Sequence, residues 1–254
     1  MSRILFASTF GAVFGPLLIR PAEELGMSLF GWNQYTGPWV FSGVFFLTSL
    51  INTTLRLRPD PLEVSGGLNS QASPGLPKRS FKDVWRIFKN SNDGRVALAS
   101  MVISQMTMVA VMTMTPVHLK SHDHETVSAY IISLHIVGMY AFSPLIGKFS
   151  DRKGRHKTIM IGALLLMGST VLSALAGDSP ALLFPSLWLL GIGWSFGLIG
   201  GSSLLVDSVA TESRVRVQGA ADLLMSFFGG TAGFSSGFIR KAVGFHWLSN
   251  LGTV

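Results

Sequence analysis

SPALLFPSLWLLGIGWSFGLIGGSSLLV, residues Ser179–Val206, runs for 28 residues without an aspartate, glutamate, lysine or arginine. A helix crosses the hydrocarbon core of a bilayer with about 20 predominantly apolar residues, so this stretch predicts a membrane span. Working outward, the same test finds Ile4–Ile19, Leu25–Leu55, Val96–Leu119, Thr126–Gly147 and Thr158–Gly177, and then Val217–Ile239, interrupted only by Asp222. The first of these is short and carries Pro16, and a last stretch, Ala242–Val254, stops before it could span. The predicted fold is therefore all-α, a polytopic bundle of about seven transmembrane helices. Composition agrees: 48% of the 254 residues are hydrophobic and 13% charged, against roughly 25% charged in an average soluble domain. A water-soluble fold lacks the charge to cover its surface here, and a disordered chain would be far less apolar. With no cysteine, disulfides, thiolate zinc sites and thiol nucleophiles are excluded together.

The net charge of +7 sits in the short segments between apolar runs, which argues against a nucleic-acid-binding stripe. If the spans alternate sides, 16 of the 20 basic residues fall on one side: Arg3, the group from Arg56 to Arg95, the group from Lys148 to Lys157, and Arg214 with Arg216. Arg20, Lys120, Arg240 and Lys241 fall on the other. The positive-inside rule makes the first side cytoplasmic, with loops 56–95 and 148–157 inside an inner or plasma membrane. No cleavable signal peptide is recognisable at the start. The segment 58–93 separates residues 1–57 from 94–254, and its Pro/Gly/Ser-rich piece Ser65–Pro77 reads as a flexible linker. Ser80 with Asp83 reads as a helix cap, followed by Phe81, Val84, Trp85 and Phe88 on one face and Lys82, Arg86 and Lys89 on another. That pattern fits a helix on the membrane surface as well as one packed beneath the bundle.

Between the fourth and fifth spans lies Gly147-Lys-Phe-Ser-Asp151-Arg152-Lys-Gly154-Arg155-His156-Lys157. A tight turn here brings two helices together: Gly147 permits close contact, Gly154 supplies a permissive backbone, and Asp151 can pair with arginines near a helix N-terminus. The spacing Gly, three residues, Asp-Arg, one residue, Gly-Arg and a basic cluster resembles the signature loop of the major facilitator superfamily. At average residue frequencies, five such matches arise by chance on the order of once in ten thousand sequences. The resemblance implies a conformational latch formed by Gly147, Asp151, Arg152, Gly154, Arg155 and Lys157, made in one state and broken in the other. It also implies a register. Twelve helices form two six-helix halves in that family, so this chain aligns with helices five to eleven and the start of twelve, as a fragment. Residues 1–57 are then the last two helices of the N-terminal bundle and 94–254 a truncated C-terminal one. In the first span, Gly11-x-x-x-Gly15-Pro16 resembles the core of the helix-five motif of proton-driven antiporters, although Leu17-Leu-Ile-Arg20 replaces its final glycines. Read from the residues alone, it is equally a small-residue packing face with a proline kink.

Gly193, Gly197 and Gly201, and likewise Gly229, Gly233 and Gly237, recur every fourth residue and predict faces for close helix packing. Ionisable groups inside a span are functional candidates by default. Asp222 could carry a coupling proton, or it could form a static ion pair with the Arg152 or Arg155 region; the ion pair is favoured because Asp222 lies near the inner face. Asp207 is expected at the interface. His135, in mid-span, is either a proton carrier or a hydrogen-bonded core histidine. Gln105 and Trp194 are candidates for lining a cavity. Met101, Met106, Met108, Met112 and Met114 suit a pocket for varied apolar ligands or, more simply, a lipid-facing surface. His118, His122 and His124 with Asp123 and Glu125 read as a solvated loop, so no metal site is expected, nor any cofactor.

Taken together, these readings predict a secondary transporter that moves an unidentified small molecule by alternating access in the lipid bilayer, with protons as the coupling partner and an efflux or antiport character. No nucleic acid is expected as partner, and no nucleophile or metal-ligand pattern suggests an enzyme. The alternative is a non-transporting, truncated copy acting as a membrane-embedded binding or scaffolding piece.

Overall fold

The computed structural model describes residues 2–59, 81–177, 179–210, 213–250 and 252; the proposed linker Ser65–Pro77 and the cap at Ser80 lie outside them. Within the described residues the chain is helical: α1 (Ser2–Leu17), α2 (Ile19–Phe30), α3 (Thr36–Arg56), α4 (Phe81–Asn90), α5 (Asn92–Lys120), α6 (Glu125–Tyr140), α7 (Ser143–Lys153), α8 (Arg155–Leu175), α9 (Leu183–Asp207), α10 (Arg214–Val243) and α11 (Phe245–Asn250). It divides into two compact units, residues 17–80 and residues 1–16 with 81–254.

Among the described residues, five helical stretches have the length and apolarity to cross a membrane: 36–56, 92–120, 126–153, 155–175 and 180–207. Two of the seven expected spans do not qualify. The 16-residue α1 is short, and α10, though 30 residues long, is diluted by glycine, serine and Asp222. The expected run Leu25–Leu55 is not one helix. Its first residues belong to α2, which ends at Gly31 in the left-handed conformation, φ 63°, and a new helix starts at Thr36. The expected span Thr126–Gly147 is likewise two helices, broken at Ala141–Phe142 so that Pro144 falls in the first turn of the second, where its missing N–H leaves no helical bond unmade.

In the unit of residues 17–80, α2 and α3 meet through small residues. A Cβ on Gly37 would lie 2.0 Å from the Ala22 carbonyl oxygen, and one on Gly26 would lie 3.1 Å from the Gly37 Cα. The rest of α3 presents apolar side chains outward, among them Phe45, Phe46 and Leu50. A helix apolar all round belongs in a membrane or a core.

In the larger unit α9 is the central helix, touching α5, α6 and α8 at once. It can do so because each side carries glycine. A Cβ on Gly191 would sit 2.2 Å from the His135 carbonyl oxygen of α6; one on Gly197 would sit 2.1 Å from Ser104 Oγ of α5; one on Gly193 would sit 3.0 Å from the Leu166 nitrogen of α8. Around this axis Met101, Ile131, Leu187, Leu190 and Leu205 are fully buried. Buried hydroxyls lock α8 to α9 reciprocally: Ser169 Oγ donates to the Ser186 carbonyl and Ser186 Oγ to the Ser169 carbonyl, both at 2.8 Å. Such polar pairs hold helices together where apolar burial gives no drive. At the other edge, Ser133 Oγ of α6 donates to the Val13 carbonyl of α1 at 3.1 Å.

One smaller expectation needs correction, and two pairs of open alternatives are narrowed. The methionines of α5 are not a lipid-facing set, since Met101 and Met108 are core residues. Among the described residues nothing lies within 4 Å of where a Cβ on Gly11 or Gly15 would stand, so no close packing partner is seen for that face there. Helix α4 exists, and between the two readings left open for it the buried Phe88 favours packing beneath the bundle, with Trp85 exposed.

Candidate functional site

The signature loop folds as the corner between α7 and α8. Gly154 makes the turn with φ 95° and ψ 152°, a conformation essentially restricted to glycine. Nothing lies within 4 Å of its missing Cβ, so the requirement comes from the backbone and not from crowding. Gly154→Ala should therefore cost about 1–3 kcal/mol, and thermal denaturation of the purified protein checks it; an unchanged Tm would remove Gly154 as the element that sets the corner.

Arg155, the first residue of α8, then points its guanidinium at three oxygens. Nη1 donates to Asp151 Oδ1, and to Ser150 Oγ at 3.1 Å, while Nε donates to Asp207 Oδ2 at 3.1 Å. One arginine thus joins α7, its own helix α8 and the end of α9. Its planar fork suits two acceptors at once. Its side chain is 24% exposed, whereas those of Asp151 and Asp207 are 68% and 55% exposed, so the cation is partly sheltered and the acids face outward. Beside it, His156 Nε2 lies 3.1 Å from Asp93 at the start of α5. Gly147 sits half-buried within α7, while Arg152 and Lys157 are exposed on the same corner.

Asp151 pairs with Arg155, but the second acid is Asp207 and not the expected Asp222. Asp222 is exposed on α10 and accepts from Gln218 Nε2 at 2.9 Å; Gln218 Oε1 in turn accepts from Ser202 Oγ of α9 at 3.0 Å. The favoured ion pair between Asp222 and the Arg152 or Arg155 region is therefore replaced by an amide relay. Asp207, expected merely at the interface, takes the arginine because α9 returns to the α7–α8 corner at its last residue.

Deeper in the bundle, the two cavity candidates meet each other: Trp194 Nε1 of α9 donates to Gln105 Oε1 of α5 at 2.7 Å. Tyr140 of α6 packs edge-on against Trp194 with ring centroids 5.9 Å apart, and Gly229 of α10 leaves room for Gln105, whose Cγ would be 2.8 Å from a Cβ there. Four helices thus converge on one polar pair. Tyr140 and Gly229 were not singled out as partners of that pair, because spacing along a chain does not disclose contacts between helices. His135 is fully buried on the α6–α9 seam, where Nδ1 donates to the Leu187 carbonyl at 2.8 Å. Nε2 makes no hydrogen bond.

At the opposite end from the signature corner, His118 is not in a solvated loop. It is buried, stacks on Phe245 with centroids 4.3 Å apart, and lies with Nε2 3.0 Å from the Gly177 carbonyl oxygen. His246 joins it from α11, with an edge contact at 5.9 Å. Among the described residues no group of three or more histidines and acids is arranged to hold a metal ion.

A sequence profile of the Major Facilitator Superfamily matches residues 1–248. The uncharacterized MFS-type transporters YdeG and YddS of Bacillus subtilis are each 34% identical, over 97% and 100% of this chain. The riboflavin transporter RfnT of Brucella anthropi is 34% identical over 56% of the chain and 38% of its own length. The chain spans 57% and 58% of the lengths of the two Bacillus relatives. No solved structure matches. A corner built on the superfamily's signature, apolar helices of spanning length, and a family match over nearly the whole chain lead to one assignment: the chain belongs to the Major Facilitator Superfamily and is an integral membrane protein.

Proposed function

We propose that this protein acts in secondary transport of a small molecule by alternating access, coupled to protons, and not as an enzyme. The observation that carries the reading is the Arg155 tie, which joins three helix ends through two outward-facing acids. Contacts of this kind can be made and broken by rocking without disturbing a core. The basic residues at that end support a cytoplasmic position for it by the positive-inside rule. The Gln105–Trp194 pair, reached from four helices, is the cavity element, and Asp222, held by an amide, is the coupling carboxylate. His135 is a positioning element of the α6–α9 seam. The likeness to a riboflavin transporter makes riboflavin the first substrate to try.

The test is uptake and efflux of labelled riboflavin, and of a panel of planar aromatic cations, by the protein expressed from its own locus with whatever coding sequence adjoins it. After reconstitution into proteoliposomes with an imposed pH gradient, a substrate should accumulate and be released by a protonophore. Asp222→Asn should cut the gradient-driven flux at least tenfold. Absence of any gradient-dependent flux would favour the other reading, a membrane-embedded binding or scaffolding protein that transports nothing.

A further inference from the structure

On the far side of α9 from the Gln105–Trp194 pair lies a groove separate from that pair. Trp188, Ile192 and Phe196 follow one another at four-residue spacing, and at 100° per residue Trp194 is turned about 160° away from Ile192. Trp188, Ile192 and Phe196 are half-buried, so the groove opens on the surface of this unit. Its walls are two edge-on aromatic pairs: Phe142, at the break just before α7, with Trp188 of α9, centroids 6.1 Å apart, and Phe149 of α7 with Phe196 of α9, 6.0 Å apart. It has a volume of about 360 Å³ and is lined almost wholly by apolar side chains.

The groove does not end blindly. Leu145 and Phe149, which line it, also line a second depression with Lys148, Arg152 and Lys153. Three cations thus stand at the mouth of an aromatic groove at the end of a membrane-spanning helix. The acid nearest them in sequence, Asp151, is engaged by Arg155. Lys148, Arg152 and Lys153 are exposed, as is Leu145 at 65%. An apolar slot at membrane depth opening onto a cluster of cations at headgroup level has the charge and polarity pattern of a two-part ligand. Basic pockets beside transmembrane helices suit anionic headgroups, while the aromatic slot suits an alkyl chain.

We propose that this groove binds an anionic phospholipid of the leaflet at the Lys148–Lys153 end, its phosphate on Lys148, Arg152 and Lys153 and one acyl chain between α7 and α9. The inference requires membrane insertion but not transport, so it stands or falls separately from the proposed function.

Trp188 is the built-in probe. The full chain would be incorporated into phosphatidylcholine nanodiscs with rising fractions of phosphatidylglycerol or phosphatidylcholine brominated in the acyl chains, which quench tryptophan at contact. Brominated phosphatidylglycerol should quench at about one tenth the mole fraction that brominated phosphatidylcholine needs. That preference should disappear in Trp188→Phe, which isolates the groove from the other tryptophans. Lys148→Gln with Lys153→Gln, neither of them in the Arg155 tie, should bring the two lipids together, since each basic side chain at a headgroup site counts for about fivefold. Inorganic phosphate should not displace the brominated lipid. Equal quenching by the two lipids, an unchanged preference in either variant, or displacement by inorganic phosphate would each overturn the proposal.

Discussion

Gly191→Ala should be among the most damaging single-methyl changes available in this chain, lowering stability by about 3 kcal/mol or more. The added Cβ would stand 2.2 Å from the His135 carbonyl oxygen and 2.9 Å from the Met139 nitrogen. Both are backbone atoms of α6, and no rotamer change can move them. Overpacking typically costs about 1–3 kcal/mol when side chains can give way; here two helices must separate instead. The seam also carries the His135 to Leu187 hydrogen bond, and across it a Cβ on Gly138 would lie 2.6 Å from the Trp188 carbonyl oxygen, so the separation would break a buried polar contact as well. On the scale of a domain of this size, the expected fall in Tm is about 10 °C. Gly230→Ala is the matched control. It has nothing within 4 Å of the new methyl and gains helix propensity, so it should hold Tm or raise it, with a gain in stability of up to about 1 kcal/mol. If the two variants unfold together, close approach of α6 and α9 is not what Gly191 provides.

That pair of glycines also marks what could be read from the chain alone. Charge-free runs located the helices of 92–120, 155–175 and 180–207, because excluding charge from hydrocarbon is a property of each residue by itself. The break between α2 and α3 was missed for the same reason. Gly31 to Tyr35 contains no charged residue, so a census of charge passes through a turn that Gly31, Asn33 and the Gly37-Pro38 pair signal only through backbone preference. The two glycine ladders are alike in spacing, yet Gly193, Gly197 and Gly201 are pressed against α5 and α8 while Gly237 faces open space. Spacing fixes which residues share a face, not what that face meets. The same limit explains the exchange of acids at Arg155. Asp207 and Asp222 are both near the basic end, and only the return of α9 to the corner, 52 residues from Arg155, decides between them. His246 was invisible as a partner of His118 because they are brought together by the packing of α11 on α5.

On the proposed alternating-access mechanism, Arg155→Gln should reduce transport about tenfold while leaving Tm within about 2 °C of the parent. The two effects part because of where the acids sit. Asp151 and Asp207 are 68% and 55% exposed, and an ion pair in that setting contributes about 0–1 kcal/mol to static stability. A contact made in one conformation and absent in the other acts differently, because all of its free energy enters the equilibrium between the two states. Two such pairs on one arginine, at up to about 1 kcal/mol each, shift the ratio of the states by up to about 30-fold, and a carrier must visit both states in every cycle. Arg155→Lys separates charge from geometry. An ammonium can reach one carboxylate but cannot fork to Asp151 and Asp207 together, so its rate should fall between those of the parent and the glutamine variant. A double-mutant cycle of Arg155→Gln with Asp207→Asn should give strongly non-additive transport rates, since either change alone opens the α8–α9 side of the tie. If the rates multiply independently, or if Arg155→Gln loses activity only as far as it loses folded protein, the tie is a structural brace and the alternating contact must be sought elsewhere on the corner.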